Sequence, residues 1–459
     1  MKDRILDALA RARAGYSELR LRRVWSSTVL VRGRAVESAG SSLETGGLAR
    51  SCSPGAGWGT VGFSGAAHFD ALLLQSHELS LAGASRQPVR LAPIPIRQVE
   101  SSAPLADDPR EVPQLARQER AERLAGALLD SDRRLVSGRI LVRDEVVETW
   151  LGTSEGTWIH DLRAQATLAV LAIARLDGST ERALGSLGST GAAGRPSFDA
   201  DAGLVGKVGS RAVERLHAVP VRPGRYPVVL DPAAAGALIH RAVAHIARPA
   251  LPGADPDVLP MGTRLGPEIL TVGDDPTAPG GGLIAGSLHD DEGTVARRCT
   301  IIQNGVVLGH LHSRETAGAT GQAPTGHARA GGLRAPPYPR PTNTFVVPGT
   351  GTREDLLEGV SLGVYVEDAL ACEASEAGIS LRAGAARMIR NGRFAEPVKG
   401  VNLAGDLLEV LGCVDAVAGD FRWDPGTSHC CDGVAGIVTV TTGAPHLRLD
   451  GVEIEGEVG

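Results

Sequence analysis

Aromatic side chains are scarce: they make up 3% of the 459 residues. That is too few for the stacking platforms on which single-stranded nucleic acids lie. Positive charge is not in excess either. Lys and Arg number 47 against 53 Asp and Glu, giving a net charge of −6, so the chain lacks the basic footprint of a phosphate-backbone binder. Its six cysteines, at 52, 299, 372, 413, 430 and 431, are too sparse for a disulfide framework. A cytosolic chain would keep them reduced. No apolar run approaches the roughly 18 residues of a membrane span. The start, MKDRILDALARARAGYSEL, is charged from its second residue and lacks the apolar core and cleavage site of a secretory signal. These absences argue for a cytoplasmic protein that binds neither nucleic acid nor membrane. The length suggests two to three domains and is ample for a buried core.

Glycine, by contrast, is abundant at 59 residues, which implies many turns and strand-rich structure. Asp3–Ala14 reads as a helix, and Ser17–Val24, Thr28–Val36 and Thr45–Ser51 read as strands. The segment Gly55–Gly65 has GxGxxG-like spacing, but no βαβ unit follows, which excludes a dinucleotide fingerprint. Helices are expected over Ala66–Ala84 and Pro113–Ser131. Two strands, Val136–Trp150 and Thr157–Ala174, flank a hairpin turn at Thr153–Gly156. Helices on an antiparallel sheet make residues 1–215 an α+β domain. Within it, Gly185–Gly209 is the best linker candidate, followed by a short helix at Ser210–Ala218. Residues 216–459 read as a β-rich domain. A long Pro-, Gly- and Asp-rich stretch, Ala250–Gly286, suggests a flap. Strand Thr300–Ile302, the turn Asn304-Gly305 and strand Val306–His310 form a hairpin. His310 and His312 would alternate along that strand and face one side.

The chemistry concentrates in Leu238–Ala250. A short buried strand, Tyr226–Asp231, turns at Asp231-Pro232 into a helix over Ala233–Ile246 that carries His240 and His245. Two histidines on one helix are a common metal-binding device, because neutral imidazole is a good zinc ligand. Their spacing of five places them about 140° apart on an ideal helix. A local π-type turn, or a helix end at His245, would bring them together. His429, Cys430 and Cys431 form a second, softer ligand cluster.

The strand, the turn and HRAVAH resemble the TldD/PmbA family of metalloproteases, whose TldD branch carries HExxxH. His240 and His245 match that spacing, and Arg241 stands where the family has Glu. Counting back from Pro445–Gly451, the family's third ligand, a C-terminal cysteine, falls on Cys431, with Cys430 as its neighbour and alternative. Tyr338–Gly349, YPRPTNTFVVPG, resembles the family's PRxTNT segment. The resemblance implies a barrel-like C-terminal sheet that carries the metal-site helix. It also implies one zinc per chain held by His240, His245 and Cys431, and proteolysis of unfolded proteins or peptides. A homodimer, or a heterodimer with a paralogue, is expected on the same ground. Arg241 cannot serve as general base, since guanidinium stays protonated. Glu292, with Asp290 and Asp291, is the candidate replacement, though a plain turn explains the same residues. The alternative is a non-catalytic peptide-binding subunit paired with an active paralogue, because one branch of the family lacks the metal motif. Arg340 and Asn343 are candidate substrate-binding residues. Pro339 and Pro341 keep their segment extended, suited either to strand addition by a peptide or to a rigid structural turn.

Overall fold

The computed structural model describes residues 1–456 except 66–67, 84–88, 101–107, 191–197, 245–246, 248, 250–259, 279–286, 376–377, 425, 427 and 433–435. Strand length dominates the N-terminal half. β1 (Tyr16–Arg32) and β2 (Ala35–Cys52) form one hairpin that turns at Gly33, whose φ of +59° suits glycine. After β3 (Trp58–Ser64), β4 (Leu135–Thr153) and β5 (Trp158–Leu176) form a second long hairpin. The turn Asp177-Gly178, with φ of +48° and +84°, leads into β6 (Ser179–Thr190). The order is β3-β2-β1-β4-β5-β6, each of these pairs antiparallel, and the short strand Gln98–Glu100 joins β5 in parallel.

Period-two alternation gives this sheet two unlike faces. Leu19, Leu21, Val29, Val31, Ile140 and Val170 point to one face and are buried. Helices α1 (Lys2–Ala10), α2 (Phe69–Ala82), α3 (Gln114–Asp130) and α4 (Phe198–Arg215) cover them. Arg20, Arg22, Arg143, Glu145, Asp161 and Arg163 point to the other face, which lines a groove.

Two sequence expectations are corrected here. The three short strands expected before residue 52 are two long ones. Ser26-Ser27 and Ser38–Ser42 read as breaks, but they lie within strands of a sheet with an open polar face. The expected linker Gly185–Gly209 contains the end of β6 and the first two thirds of α4, and the short helix expected at Ser210–Ala218 starts in the last third of α4, which ends at Arg215. Small residues there serve close packing: a Cβ on Gly185 would lie 2.7 Å from the Val208 side chain.

The C-terminal half runs β7 (Gly224–Leu230), α5 (Pro232–Ala244), β8 (Val272–Asp274), α6 (Arg314–Thr320), β9 (Asn343–Val346), β10 (Leu362–Ser375), β11 (Gly378–Arg390), β12 (Asn402–Gly405), β13 (Ser428–Asp432), β14 (Gly436–Ala444) and β15 (Leu447–Glu455). Strands β10-β7-β15-β12-β11 pair in that order, and β11 returns to β10, closing a five-strand barrel. A second sheet sets β9 between β8 and β14, with β13 beyond β14. Helix α5 lies against both. Ala234, Ala235, Leu238, Ile239, Ala242 and Val243 are all at most 1% exposed, and only the stripe Ala233, Ala237 and Arg241 is half-buried among the described residues of the helix after Pro232.

The fold class is α+β, with helices on an antiparallel N-terminal sheet and a barrel in the C-terminal region. The hairpin at Asn304-Gly305 forms as expected, with φ of +48° and +75° between Cys299–Gln303 and Val306–Val307. His310 and His312 lie beyond its second strand, and His312 is buried rather than on an exposed strand face. Of the expected flap, residues 250–259 and 279–286 lie outside the described residues. Between them, β8 is a paired strand of the second sheet. No helix among the described residues is long and apolar enough to cross a membrane.

Candidate metal centre

Helix α5 begins where the sequence places it. Asp231 Oδ1 accepts the Ala234 N–H at 2.8 Å, an N-cap interaction, and Pro232 takes the first helical position. The same oxygen accepts the Asp368 N–H at 3.0 Å, which ties the helix start to β10. Gly236 lets α5 approach β14: a Cβ there would lie 2.8 Å from Thr442 Oγ1.

His240 lies one turn before the helix end and is 3% exposed. Its Nδ1 is 2.9 Å from Thr344 Oγ1, and that hydroxyl donates to Asp274 Oδ2 at 2.9 Å. Thr344 has one hydroxyl hydrogen, and it goes to Asp274. The contact with His240 is therefore made by Nδ1–H as donor, which leaves the ring lone pair on Nε2. This tautomer leaves Nε2 open to a metal, and the carboxylate-backed hydrogen bond on Nδ1 is the outer shell typical of ligating histidines. Thr442 Oγ1, opposite Thr344 on β14, is buried and meets no hydrogen-bond partner among the described residues. The chemistry of His240 thus fits a zinc ligand.

Asp274 anchors this arrangement and is 0% exposed. Burial pushes its carboxyl up, but donation from His327 and Thr342 outweighs burial and holds it below its ordinary value. It accepts the Thr342 N–H at 2.9 Å, the Thr342 hydroxyl and His327 Nε2 at 3.1 Å. His327 Nδ1 in turn faces the Thr325 carbonyl at 3.0 Å. Thr325 Oγ1 accepts the His312 N–H at 2.7 Å. Burial lowers His312 to about 4, helped by the charges of His310 and Arg297.

The remaining expected site residues fall as follows. His245 lies outside the described residues. Cys431 is on β13, opposite Ile437, and its side chain is likewise outside them. Cys430 is 2% exposed and packs with Val438 and Val440. Among the described residues no group of three His, Cys, Asp or Glu could hold a metal ion. Arg241 is half-buried, and its positive charge acts on Cys372 of β10, whose thiol burial pushes up to about 12.

Three other candidate residues, Arg340, Asn343 and Glu292, are buried. Arg340 and Asn343 are both 0% exposed. Arg340 Nη2 donates to the Cys430 carbonyl at 2.7 Å, and Asn343 Nδ2 to the Asp275 carbonyl at 2.8 Å. Because β9 is paired on both sides, it offers no edge to an added substrate strand. Glu292 is 1% exposed and fully engaged. Its Oε1 accepts from Arg50 Nη2 at 2.8 Å, and its Oε2 from the Arg314 N–H at 2.7 Å. A carboxylate so held clamps the N-terminal sheet to α6 and is poorly suited to proton transfer. Sequence reasoning missed Asp274, His327, Thr342 and Thr344. The two threonines stood inside the PRPTNT segment, and a buried Asp within TVGDD was the available signal for Asp274.

Comparison with known proteins bears on this geometry. The PmbA/TldA metallopeptidase C-terminal domain matches residues 223–456, and the central domain of the same family matches residues 107–218. The chain belongs to the TldD/PmbA family. A metalloprotease of Synechocystis sp. is 30% identical over 462 residues, covering 97% of this chain and 96% of its own length. A zinc metalloprotease TldD homolog of Saccharolobus solfataricus is 28% identical over 260 residues, 54% of this chain and 55% of that protein. The solved structure of TldE from Thermococcus kodakarensis superposes with a TM-score of 0.70 at 16% identity, over 96% of this chain and 97% of that one. At that identity the likeness is one of fold. Within the TldD/PmbA family, this chain departs from HExxxH by the Arg at position 241.

Proposed function

We propose that this chain is a zinc-dependent peptidase of unfolded proteins or peptides whose turnover is held low by Arg241. His240, His245 and Cys431 would hold one zinc, with a fourth position open. The observation that carries this reading is the Asp274–Thr344–His240 chain of hydrogen bonds, which fixes the imidazole in its ligating tautomer. When bound, the metal would polarise a scissile carbonyl and activate water. Arg241 cannot accept the proton that the Glu of HExxxH would take, a contribution of about 10²–10⁴ in rate. Its fixed positive charge favours an anionic group beside the centre instead. That charge also favours the second reading, a peptide-binding subunit paired with an active paralogue.

Elemental analysis and peptide cleavage test these readings together. Wild type is expected to hold about one zinc per chain, and His240→Ala to hold markedly less. Arg241→Glu should raise zinc-dependent cleavage of an unfolded substrate by about 10²-fold or more. Unchanged zinc in His240→Ala would remove the metal site. Wild-type cleavage at a zinc-dependent rate that Arg241→Glu fails to raise would remove the role of Arg241.

A further inference from the structure

Between the open face of the N-terminal sheet and the C-terminal loops runs a groove of about 890 Å³. Arg20 and Arg22 of β1 and Arg163 of β5 line its sheet wall, and Asp291 and Arg329 line the facing wall. Ile437, Val438 and Thr439 of β14 continue that wall, and they stand across the ladder from Cys431, Cys430 and His429. The groove therefore passes the strand that carries the assigned cysteine.

Four guanidinium groups converge here on one carboxylate. Arg22 Nη2 pairs with Asp291 Oδ1, and the charges of Arg20, Arg163 and Arg329 act on the same group. Asp161, paired with Arg163, adds a second negative charge; Glu18 and Asp274, which also act on Arg20 and Arg329, are held by Arg50 and His327, and Glu145 of the same groove is paired with Arg143. Positive charge is left in excess in a largely buried place. Arg20 is 1% exposed, and its Nη2 donates to the Ala335 carbonyl. Its Nε and Nη1, and the Nε of Arg22, meet no hydrogen-bond partner among the described residues. Burial and the charge of Arg22 push Arg20 down to about 10, and burial lowers Arg329 likewise. Buried guanidinium donors without partners are costly, and native structures seldom leave them so. A carboxylate fits their planar fork in charge and in geometry. Arg22 and Arg163 keep partly exposed side chains, so a ligand in the groove can reach the cluster.

We propose that Arg20 and Arg22 form a carboxylate-binding subsite for a peptide lying in this groove, taking either its C-terminal carboxylate or an Asp or Glu side chain. The proposal rests on the peptide reading above and names the group by which the peptide is held. Arg22 is the outer contact, and Arg20 supplies charge from behind it.

The test compares three labelled hexapeptides of one core sequence by fluorescence anisotropy on the full-length wild-type chain. One ends in a free carboxylate, one is amidated with an internal Glu, and one is amidated with Gln at that place. At least one acidic peptide should bind about tenfold or more tighter than the neutral one. The acidic peptide that does so identifies the source of the carboxylate. Arg22→Gln should reduce that preference to less than about threefold while leaving the neutral peptide's affinity unchanged. Arg20→Gln should reduce it similarly, and the wild-type ratio stands without either variant should one fail to fold. Equal affinity of wild type for all three peptides would overturn the subsite and leave the peptide reading intact. A preference that survives in both folded variants would also overturn it. Binding of none of the three would overturn both.

Discussion

Asp274 and Glu292 are both buried carboxylates in the C-terminal half, and they are held in opposite ways. Asp274 takes hydroxyl and main-chain donors from Thr342 and Thr344, at the start of β9, and its ring partner is His327. Glu292 takes a guanidinium from the N-terminal sheet, and Arg50 bridges it to Glu18, whose Oε1 lies 2.9 Å from Arg50 Nε. The first arrangement orients: donors fixed by β9 set a lone pair on His240. The second clamps: charge reaches across two parts of the fold. Burial and the nearby Glu292 push Asp290 well above its ordinary value, against three main-chain N–H donors that pull it down. Asp274 moves in the other direction. Whether a buried acid serves a site or a seam is thus told by its donors more than by its depth.

Removing each acid should separate these roles. The largest effect is expected from Asp274→Ala. Zinc affinity should fall about 10–100-fold through loss of the outer shell, and stability by about 3–5 kcal/mol, since His327 is left buried without its partner. Zinc competition and denaturant unfolding measure the two, and an unchanged zinc affinity would end the comparison. Glu292→Gln should lower stability by about 1–3 kcal/mol and leave zinc affinity unaltered. A parallel fall in affinity would mean that clamp and site act as one. The smallest effect concerns His312, which reaches the Asp274 network through Thr325. Its folded-state pKa of about 4 lies below the unfolded value of about 6.5. The unfolded chain therefore binds the proton first as pH falls, and stability declines from about pH 6.5 to about pH 4, by no more than about 2 kcal/mol. His312→Gln should flatten this stretch of a stability–pH curve, and an identical slope in the variant would exclude His312 as its source.

Local pattern made α5, its Asp-Pro start and the Asn304-Gly305 turn readable, because a helix period and an I′ turn are written in adjacent residues. The family motif gave His240 its place. The site around it was less legible. His327 and Asp274 are 53 positions apart in sequence, and Asp274 meets Thr344 only because β8 pairs with β9. The long strands were cut short in the reading because alternation assumes one wet and one dry face along the whole strand. Here the groove face mixes Arg, Ser and Val, which blurs that pattern. α4 resembles a linker in sequence because Gly203, Gly206 and Gly209 are poor helix formers.

The closure of the barrel has a consequence for the order of events during synthesis. Strand β7 leads directly into α5, yet one of its two neighbours is β15, more than two hundred residues later. Until Leu447–Glu455 leave the ribosome, Val228 and Leu230 lack the cover that Leu449 and Leu447 supply. The strand with Cys431 also emerges long after α5. Pairings of such wide separation form late and slowly. A nascent chain would therefore carry α5 through the synthesis of about two hundred further residues before β15 could complete the barrel.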